Sequence, residues 1–283
     1  MSGRDDVAAF RRSWVLGVTM RRALLLLVLA CAVLFVFSLG SVLVAGGIFL
    51  AAVVAFAYLE WRANKLNRRV DAAVDQMDSG DLDAVEAALC GAIRSLTLYP
   101  ERRAADLLHL ARVRYLQQRY GEAARLAGTV GRLRRGVPEK LTWLGHRMAL
   151  GVALEIGDTR SAYESLTQLS RVQLPPSDAG WFVLSRTRYE LAVGAYGHVL
   201  HDLVGKLRQV GTLPAMHQAA FCVVAAEAAD ASGRADWAGF LRERAAALLA
   251  GRLDLLETAS ADDRFPGETC LRWFRRRGGQ ETG

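Results

Sequence analysis

The stretch RRALLLLVLACAVLFVFSLGSVLVAGGIFLAAVVAFAYLEWR, residues 21–62, contains no charged residue between Arg22 and Glu60. A hydrocarbon core about 30 Å thick is crossed by about 20 helical residues. One unbroken helix over residues 23–59 would be about 55 Å long, which is too long for a single straight crossing. The stretch therefore predicts a membrane segment that reverses direction.

The polar, turn-capable residues of this stretch form one cluster near its middle. A polar break between two apolar arms predicts a two-helix transmembrane hairpin over residues 23–61. Each arm then has about 15 to 18 residues, which is short for a full crossing. The predicted turn residues are Ser38, Gly40 and Ser41.

Basic and aromatic residues flank the predicted hairpin on both sides, while its turn contains no Lys or Arg. By the positive-inside rule, both flanks are expected in the cytoplasm. Residues 1–22 are predicted to form a basic amphipathic segment on the membrane surface. The predicted anchor residues are Trp14, Arg21, Arg22, Tyr58, Trp61 and Arg62.

Two other interpretations of the apolar stretch compete with a membrane hairpin. A secretory signal is disfavoured because the apolar run far exceeds the core of a signal peptide, and no convincing cleavage site follows it. A helical hairpin buried inside a soluble protein is the second alternative, since globular cores also contain apolar helices.

The rest of the chain predicts an all-α protein, since it is rich in Ala, Leu and Arg and poor in Pro. The net charge of +7 raises the question of nucleic acid binding. The basic clusters, however, lie beside the apolar stretch and at the C-terminus, where anionic lipid headgroups explain them. The aromatic residues typical of base-stacking modules are missing, so nucleic acid is not an expected partner.

A turn followed by a helix recurs five times after residue 67, with marker residues spaced about 37 to 39 residues apart. Prolines fall between successive units, where they start a helix without losing a hydrogen bond. Each unit is thus a helix A, a turn and a helix B. The markers are Gly80, Arg119, Gly157, Gly194 and Gly233, and the prolines are Pro100, Pro138, Pro175, Pro176 and Pro214. The predicted helices A lie near 64–78, 101–118, 138–155, 176–192 and 214–231.

These units resemble tetratricopeptide repeats over residues 64–250. The residues that match the family pattern are Leu110, Ala111, Tyr120 and Ala123 in the second unit, Gly157 and Ala162 in the third, and Ala226, Gly233 and Ala238 in the fifth. The fourth unit departs from the pattern at Thr187 and Val199. The resemblance implies an α-solenoid of about five helix pairs over residues 62–255, followed by a basic tail over residues 256–283.

The same resemblance implies a protein or peptide ligand in a concave groove built largely from helices A. Arginines in that groove would favour an acidic ligand or a C-terminal carboxylate, which a guanidinium binds through two hydrogen bonds. The alternative is that these residues form the solvated sides of amphipathic helices. The candidate groove residues are His109, Arg112, His146, Arg147, Arg186 and Arg188.

No catalytic or cofactor motif is visible, so an enzyme is not predicted. The four cysteines are isolated, and phosphate-binding glycine loops and nucleophile elbows are missing. His198 and His201, beside Asp202, share one helix face, but a third metal ligand is not evident. The tryptophans expected in the core of the repeats are Trp143, Trp181 and Trp237.

The predicted function is a membrane-anchored scaffold of tetratricopeptide type that recruits protein partners at the cytoplasmic face. The alternative is a membrane-shaping protein, because two short apolar arms beside a basic segment resemble the wedge hairpins of reticulon-like proteins. Frequent Ala and Arg with few Lys indicate a bacterial source, and hence the inner membrane. Homo-oligomer formation is compatible with either function.

Overall fold

The computed structural model describes residues 3–37, 42–75, 77, 81–95, 100–133, 137–172 and 178–250. Within these ranges the regular structure is helical and contains no strand, which confirms the all-α prediction. The helices described there are α1 (Gly3–Phe37), α2 (Val42–Asp75), α3 (Leu82–Arg94), α4 (Pro100–Leu116), α5 (Tyr120–Gly131), α6 (Glu139–Glu155), α7 (Thr159–Leu169), α8 (Ala179–Ala192), α9 (Tyr196–Leu200), α10 (Leu203–Val210), α11 (Ala215–Ala231) and α12 (Ala235–Leu249).

The chain divides into two compact units, unit 1 over residues 1–145 and unit 2 over residues 146–283. The division falls inside α6, and the repeat domain over residues 62–255 stays a prediction. The tail predicted over residues 256–283 lies outside the described residues.

The first two helices continue past the boundaries predicted from the sequence. The helix α1 passes through residue 22, and α2 passes through residue 61. The surface segment predicted over residues 1–22 and the first helix A predicted near 64–78 are therefore parts of two long helices, each about 50 Å long. Neither boundary contains a helix-breaking Gly or Pro, so a change from polar to apolar residues does not end the helix. The turn residues Ser38, Gly40 and Ser41 lie outside the described residues.

The N-terminal half of α1 belongs to the core of unit 1. The helix α1 packs against α2, α3, α4 and α5. Among the α1 residues whose exposure the structure describes, the buried ones are Asp6, Phe10, Ser13 and Gly17, which recur every three or four positions and so form one helix face. This face packs against the rest of unit 1, whereas the sequence predicts that residues 1–22 lie on the membrane surface.

The four later helices A lie close to their predicted positions, as α4, α6, α8 and α11. Each ends in the same turn, in which one residue has a left-handed backbone and the next donates its N–H to the carbonyl five positions earlier, as in a Schellman motif. The left-handed residues are Gln118, Gly157, Gly194 and Gly233, and the donor–acceptor pairs are Arg119–Arg114, Asp158–Ala153, Ala195–Glu190 and Arg234–Ala229. The markers from Arg119 onward thus lie at helix–helix turns, as predicted, while Gly80 lies outside the described residues.

The fourth unit differs from the others because its helix B is broken into α9 and α10. Asp202 at the break has a left-handed backbone and caps α10 by accepting a hydrogen bond from the Gly205 N–H at 3.2 Å. Lys206 Nζ donates to the Val199 carbonyl at 3.1 Å, which satisfies the end of α9. Thr187 and Val199, the residues at which the fourth unit departs from the repeat pattern, are both fully buried.

The core of unit 2 is built around α11, which packs against α8, α9, α10 and α12. Small side chains allow close helix approach there. A Cβ on Gly180 of α8 would lie 2.7 Å from the Gln209 carbonyl oxygen of α10. Gly180 therefore sets the distance between α8 and α10.

Candidate membrane anchor and binding groove

Exposed apolar side chains lie on the described parts of the second half of α1 and of the middle of α2. Large side chains from Leu25 to Leu29 are exposed on α1, and Leu50, Val54 and Phe56 are exposed on α2. Within the described residues one stretch, Asp5–Ala30, is long and apolar enough to cross a membrane. Only 11% of its most apolar part is buried inside the protein, whereas a core helix would be mostly buried. An exposed apolar surface of this kind is typical of a membrane or protein contact.

The predicted anchor residues lie at the ends of this apolar surface. Tyr58 and Trp61 are 57% and 60% exposed, and their ring centroids are 6.2 Å apart on one face of α2. Lys65 Nζ lies 5.4 Å from the Trp61 ring centroid, which is within cation–π range. Trp14 differs from these residues because it is half-buried and packs against Phe10, with 5.5 Å between ring centroids. Arg21, Arg22 and Arg62 are exposed.

A buried ionic cluster ties the N-terminal end of α1 to unit 1. The Asp6 side chain is 2% exposed, and its Oδ2 lies 3.5 Å from Arg114 Nη2 on α4. The Arg114 side chain is 1% exposed and also pairs with Glu86 Oε1 at 2.7 Å. Arg94 Nη2 of α3 lies 3.6 Å from Asp6 Oδ1. A buried charge is tolerated only with such partners, so Asp6 has a defined place in the core.

Unit 2 contains a shallow groove, partly open to solvent, between α6 and α8. Aliphatic and aromatic side chains line its walls, and two arginines and a serine supply its polar groups. The lining residues are Arg147, Leu150, Gly151, Leu154, Trp181, Leu184, Ser185 and Arg188.

The polar and aromatic groups of the groove hold one another in place. The Arg147 guanidinium carbon lies 3.6 Å from the Trp181 ring centroid, a stacked cation–π arrangement. Arg188 Nη2 pairs with Glu155 Oε1 at 3.2 Å, and both side chains are mostly buried. One guanidinium group stacked on the indole ring and a second one paired with Glu155 thus line the same groove, a set of groups suited to an anionic group attached to an apolar one.

His217 supports Trp181 from the core of unit 2. Its ring meets the indole edge-on, with centroids 4.2 Å apart and an interplanar angle of 72°. The side chain is fully buried, and neither ring nitrogen has a hydrogen-bond partner among the described residues. Burial, helped by the charge of Arg147, lowers the pKa of His217 to about 3. The imidazole is therefore neutral at physiological pH.

The structure brings together two of the six predicted groove residues, Arg147 and Arg188. Arg186 on α8 is exposed and pairs with Glu190 at 2.7 Å. His146 is nearly buried, at 7% exposure. The other two, His109 and Arg112, are half-buried on α4 of unit 1.

The sequence does not predict that Trp181 lines the groove. The sequence places Trp143, Trp181 and Trp237 in the core, and only Trp143 is buried there. Trp237 is 42% exposed on α12, while Trp181 is half-buried and lines the groove. The available signal was helical spacing, since Arg147, Leu150 and Leu154 share one face of α6.

Cys90 and Cys222 are the cysteines whose side chains the structure describes. Burial, together with the Asp6 carboxylate, raises the pKa of Cys90 to about 11, and burial raises that of Cys222 to about 11. Both thiols are protonated at neutral pH and are poor nucleophiles. His198 and His201 are exposed, and the described part of the chain contains no group of three His, Cys, Asp or Glu residues arranged to hold a metal ion.

No model of a known protein family matches the chain, and no curated protein or solved structure gives a significant match.

Proposed function

We propose that the protein is a membrane-anchored helical scaffold that is held at the cytoplasmic face and recruits a protein partner there. Two features support this function: the exposed apolar surface on α1 and α2, and the arginine-rimmed groove of unit 2. Membership of the tetratricopeptide class is part of the proposal. Its support is the family-like residues and the four identical turns between helices.

The observation that carries the anchor is the burial of Asp6 and Phe10 in the core of unit 1. These residues precede the apolar part of α1, and Arg114 on α4 follows the apolar part of α2. Since Asp6 contacts Arg114, both ends of the apolar region lie on one side of any membrane that α1 enters. A single crossing would place them on opposite sides. The contact therefore supports a hairpin in which α2 returns across the bilayer.

The position of the basic residues supports the cytoplasmic side. Arg21 and Arg22 precede the apolar part of α1, and Arg62 and Lys65 follow that of α2. Positive residues at both ends favour retention of both ends in the cytoplasm. The Tyr58, Trp61 and Lys65 side chains fit the headgroup region, where aromatic rings and snorkelling lysines are favourable.

The scaffold function is tested by photo-crosslinking in cells of the source organism. A photoreactive residue replaces, one at a time, three exposed side chains of unit 2: Ile156, Tyr163 and Val204. The same residue at Leu26 on α1 is the matched control, since it is expected to face lipid. The proposal predicts that one protein recurs in the adducts from unit 2 and is missing from those of Leu26. Adducts of the chain with itself alone, or no adducts at any of the three positions, refute recruitment.

Membrane shaping is a second candidate because the apolar arms are short. The uncharged parts of α1 and α2, residues 23–37 and 42–59, span about 22 and 27 Å as helices, less than a core of about 30 Å. Short arms either thin the bilayer locally or insert as a wedge. Purified full-length protein at high density on liposomes distinguishes the two. Tubules or high curvature favour the wedge, and unchanged spherical liposomes contradict it.

A further inference from the structure

One face of α2 changes along its length from apolar to aromatic to basic. Its side chains recur every three or four positions, so they share one side of the helix, and all of them are exposed. This set of residues is called the α2 stripe below. In chain order it consists of Leu50, Val54, Tyr58, Trp61, Lys65 and Arg68.

The opposite side of α2 packs against the rest of unit 1. Among the α2 residues whose exposure the structure describes, the buried ones are Ala52, Ala63 and Val70. With 3.6 residues per turn, these three residues lie on the side of the helix away from the α2 stripe. The helices that α2 contacts are α1 and α3. The α2 stripe therefore faces away from the described helices of unit 1.

The basic residues of the α2 stripe have no carboxylate partner among the described residues. Lys65 Nζ lies over the Trp61 ring, 5.4 Å from its centroid, and Lys65 forms no ion pair there. The same is true of Arg68 and of Arg62, which is exposed beside the stripe. Asp71, the next acidic residue along α2, pairs instead with Arg102 of α4. The basic end of the stripe thus presents positive charges that the described protein does not neutralise.

The spacing along the α2 stripe matches the layers of one membrane leaflet. Leu50 and Tyr58 are about 12 Å apart along the helix axis, and half of a hydrocarbon core measures about 15 Å. Lys65 lies about 6 Å beyond Trp61, and the headgroup layer on each side of the core is about 5 to 8 Å thick. Helical side chains tilt towards the N-terminus of their helix, which on α2 is the apolar end. The basic side chains therefore reach the level of lipid phosphates when the apolar part of α2 lies in a bilayer.

This order of groups is complementary to an anionic phospholipid. Leu50 and Val54 offer an apolar surface to an acyl chain, and the aromatic rings suit the level where the chain joins the headgroup. Ammonium and guanidinium groups donate charge-assisted hydrogen bonds to phosphate oxygens. Each basic residue near an anionic surface favours association about fivefold. A zwitterionic headgroup carries a cation beside its phosphate, so it gains less from the same residues.

We propose that the α2 stripe binds an anionic phospholipid of the cytoplasmic leaflet, with the lipid phosphate held by Arg62, Lys65 and Arg68 and an acyl chain lying along Leu50 and Val54. The inference rests on the proposed function in taking α2 as a membrane helix whose basic end is cytoplasmic. It goes beyond that function by naming the class of lipid and the residues that select it.

Quenching of Trp61 fluorescence by brominated lipids tests the site in full-length protein reconstituted in phosphatidylcholine vesicles. A small fraction of the lipid is replaced by brominated phosphatidylglycerol, which is anionic, or by the same fraction of brominated phosphatidylcholine, which is zwitterionic. The Trp61 contribution is the difference between the wild type and Trp61→Phe. Brominated phosphatidylglycerol is expected to quench this contribution at an about fivefold lower content than brominated phosphatidylcholine. Equal quenching by the two lipids overturns the inference.

Variants of the basic residues test which side chains select the lipid. The triple variant Arg62→Gln, Lys65→Gln, Arg68→Gln is expected to lose the preference, so that both brominated lipids quench Trp61 equally. Lys65→Arg keeps the charge and is expected to keep the preference. A triple variant that retains the wild-type preference contradicts the assignment of these residues.

A charge-matched control separates a site on α2 from general attraction to an anionic surface. The variant Arg125→Gln, Arg132→Gln, Arg160→Gln removes the same charge from exposed positions outside α1 and α2 and is expected to keep the preference for phosphatidylglycerol. Far-UV circular dichroism checks that both triple variants retain their helix content. Equal loss of the preference in the two triple variants overturns the inference.

The lipid site and the proposed function fail in different ways. Quenching of Trp61 by neither lipid places the α2 stripe outside the bilayer and removes both proposals. Equal quenching by both lipids keeps the membrane anchor and removes the lipid site alone. A clear preference for phosphatidylglycerol without any partner adduct in cells keeps the lipid site and removes recruitment.

Discussion

The buried imidazole of His217 makes the stability of unit 2 depend on pH. In the unfolded chain a histidine has a pKa of 6.5, whereas in the fold burial and Arg147 lower the value to about 3. The unfolded state therefore binds the proton more tightly across that range. Because the folded pKa is depressed, the stability contributed by neutral His217 is fully present above pH 6.5 and is lost as the pH falls towards about 3.

The size of the effect follows from the same two pKa values. Within this range each pH unit lowers the free energy of unfolding by about 1.4 kcal/mol. At about pH 5 the loss from His217 is about 2 kcal/mol relative to about pH 7.5. Carboxylates elsewhere in the protein add their own pH dependence, so the prediction concerns the difference between variants.

The assay is urea unfolding of the full-length protein in detergent, followed by far-UV circular dichroism over a series of pH values. His217→Leu is expected to remove the loss of about 2 kcal/mol between about pH 7.5 and 5. At neutral pH it is expected to be neutral or stabilising, since neither ring nitrogen of His217 has a hydrogen-bond partner among the described residues. The control is His198→Gln, which replaces an exposed histidine of α9 and is expected to keep the wild-type slope. The reasoning is refuted if His217→Leu also keeps that slope.

Three further substitutions test the packing in thermal or urea unfolding. Asp6→Ala removes one carboxylate from buried Arg114, which keeps Glu86, so we expect the free energy of unfolding to fall by about 1 to 3 kcal/mol and hydrogen exchange in residues 5–17 to become faster. The control Asp71→Ala, at an exposed pair with Arg102, is expected to cost less than about 1 kcal/mol. Equal losses in the two variants would contradict the ionic cluster. Gly145→Ala places a Cβ 2.6 Å from the Gly131 backbone nitrogen and is expected to lower the free energy of unfolding by about 1 to 3 kcal/mol. The control Gly91→Ala has open space around the new Cβ and is expected to stabilise α3 slightly. If Gly145→Ala costs nothing, the close approach of α5 and α6 is excluded. A Cβ at Gly157 would meet no neighbouring atom, but the residue has φ +73°, so Gly157→Ala is expected to cost about 1 kcal/mol in backbone strain. The control Gly121→Ala, within α5, is expected to leave the stability unchanged or to raise it.

Residues that end or start helices locally explain why the later helices could be predicted from the sequence. Gly157, Gly194 and Gly233 occupy left-handed positions that few other residues adopt, and Pro214 precedes the first turn of α11. Each signal acts within a few residues, so it can be read without knowledge of the fold. The break between α9 and α10 was missed because Asp202 adopts the left-handed region as a non-glycine residue.

The N-terminal contacts could not be predicted for a different reason. The pair between Asp6 and Arg114 joins residues that are distant in sequence, and such a contact leaves no local spacing pattern. The change in polarity near residue 22 predicts a boundary there, whereas α1 continues through it. A helix does not need to end where its residues change from polar to apolar.

The partner groove stays a prediction, and helix packing decides which of its candidate residues lie close together. Arg147 and Arg188 were identified as polar residues on helices A, and both line the groove. Arg186, two positions before Arg188, points elsewhere and pairs with Glu190. Which arginine faces the groove depends on how α6 and α8 pack, and an aromatic residue such as Trp181 is compatible with either a core or a groove position.

Whether the N-terminal end of α1 and unit 1 share one side of the membrane is tested most directly by cysteine labelling. Single cysteines replace Ala8 and Arg125, which are exposed on α1 and α5, and Gly40, in a chain without its native cysteines. A membrane-impermeant maleimide is applied to intact and to permeabilised cells. The hairpin predicts labelling at Gly40 in intact cells, and labelling at Ala8 and Arg125 only after permeabilisation. Labelling of Ala8 and Arg125 from opposite sides would contradict the shared side, and Gly40 that stays unlabelled in intact cells would contradict a hairpin that spans the membrane.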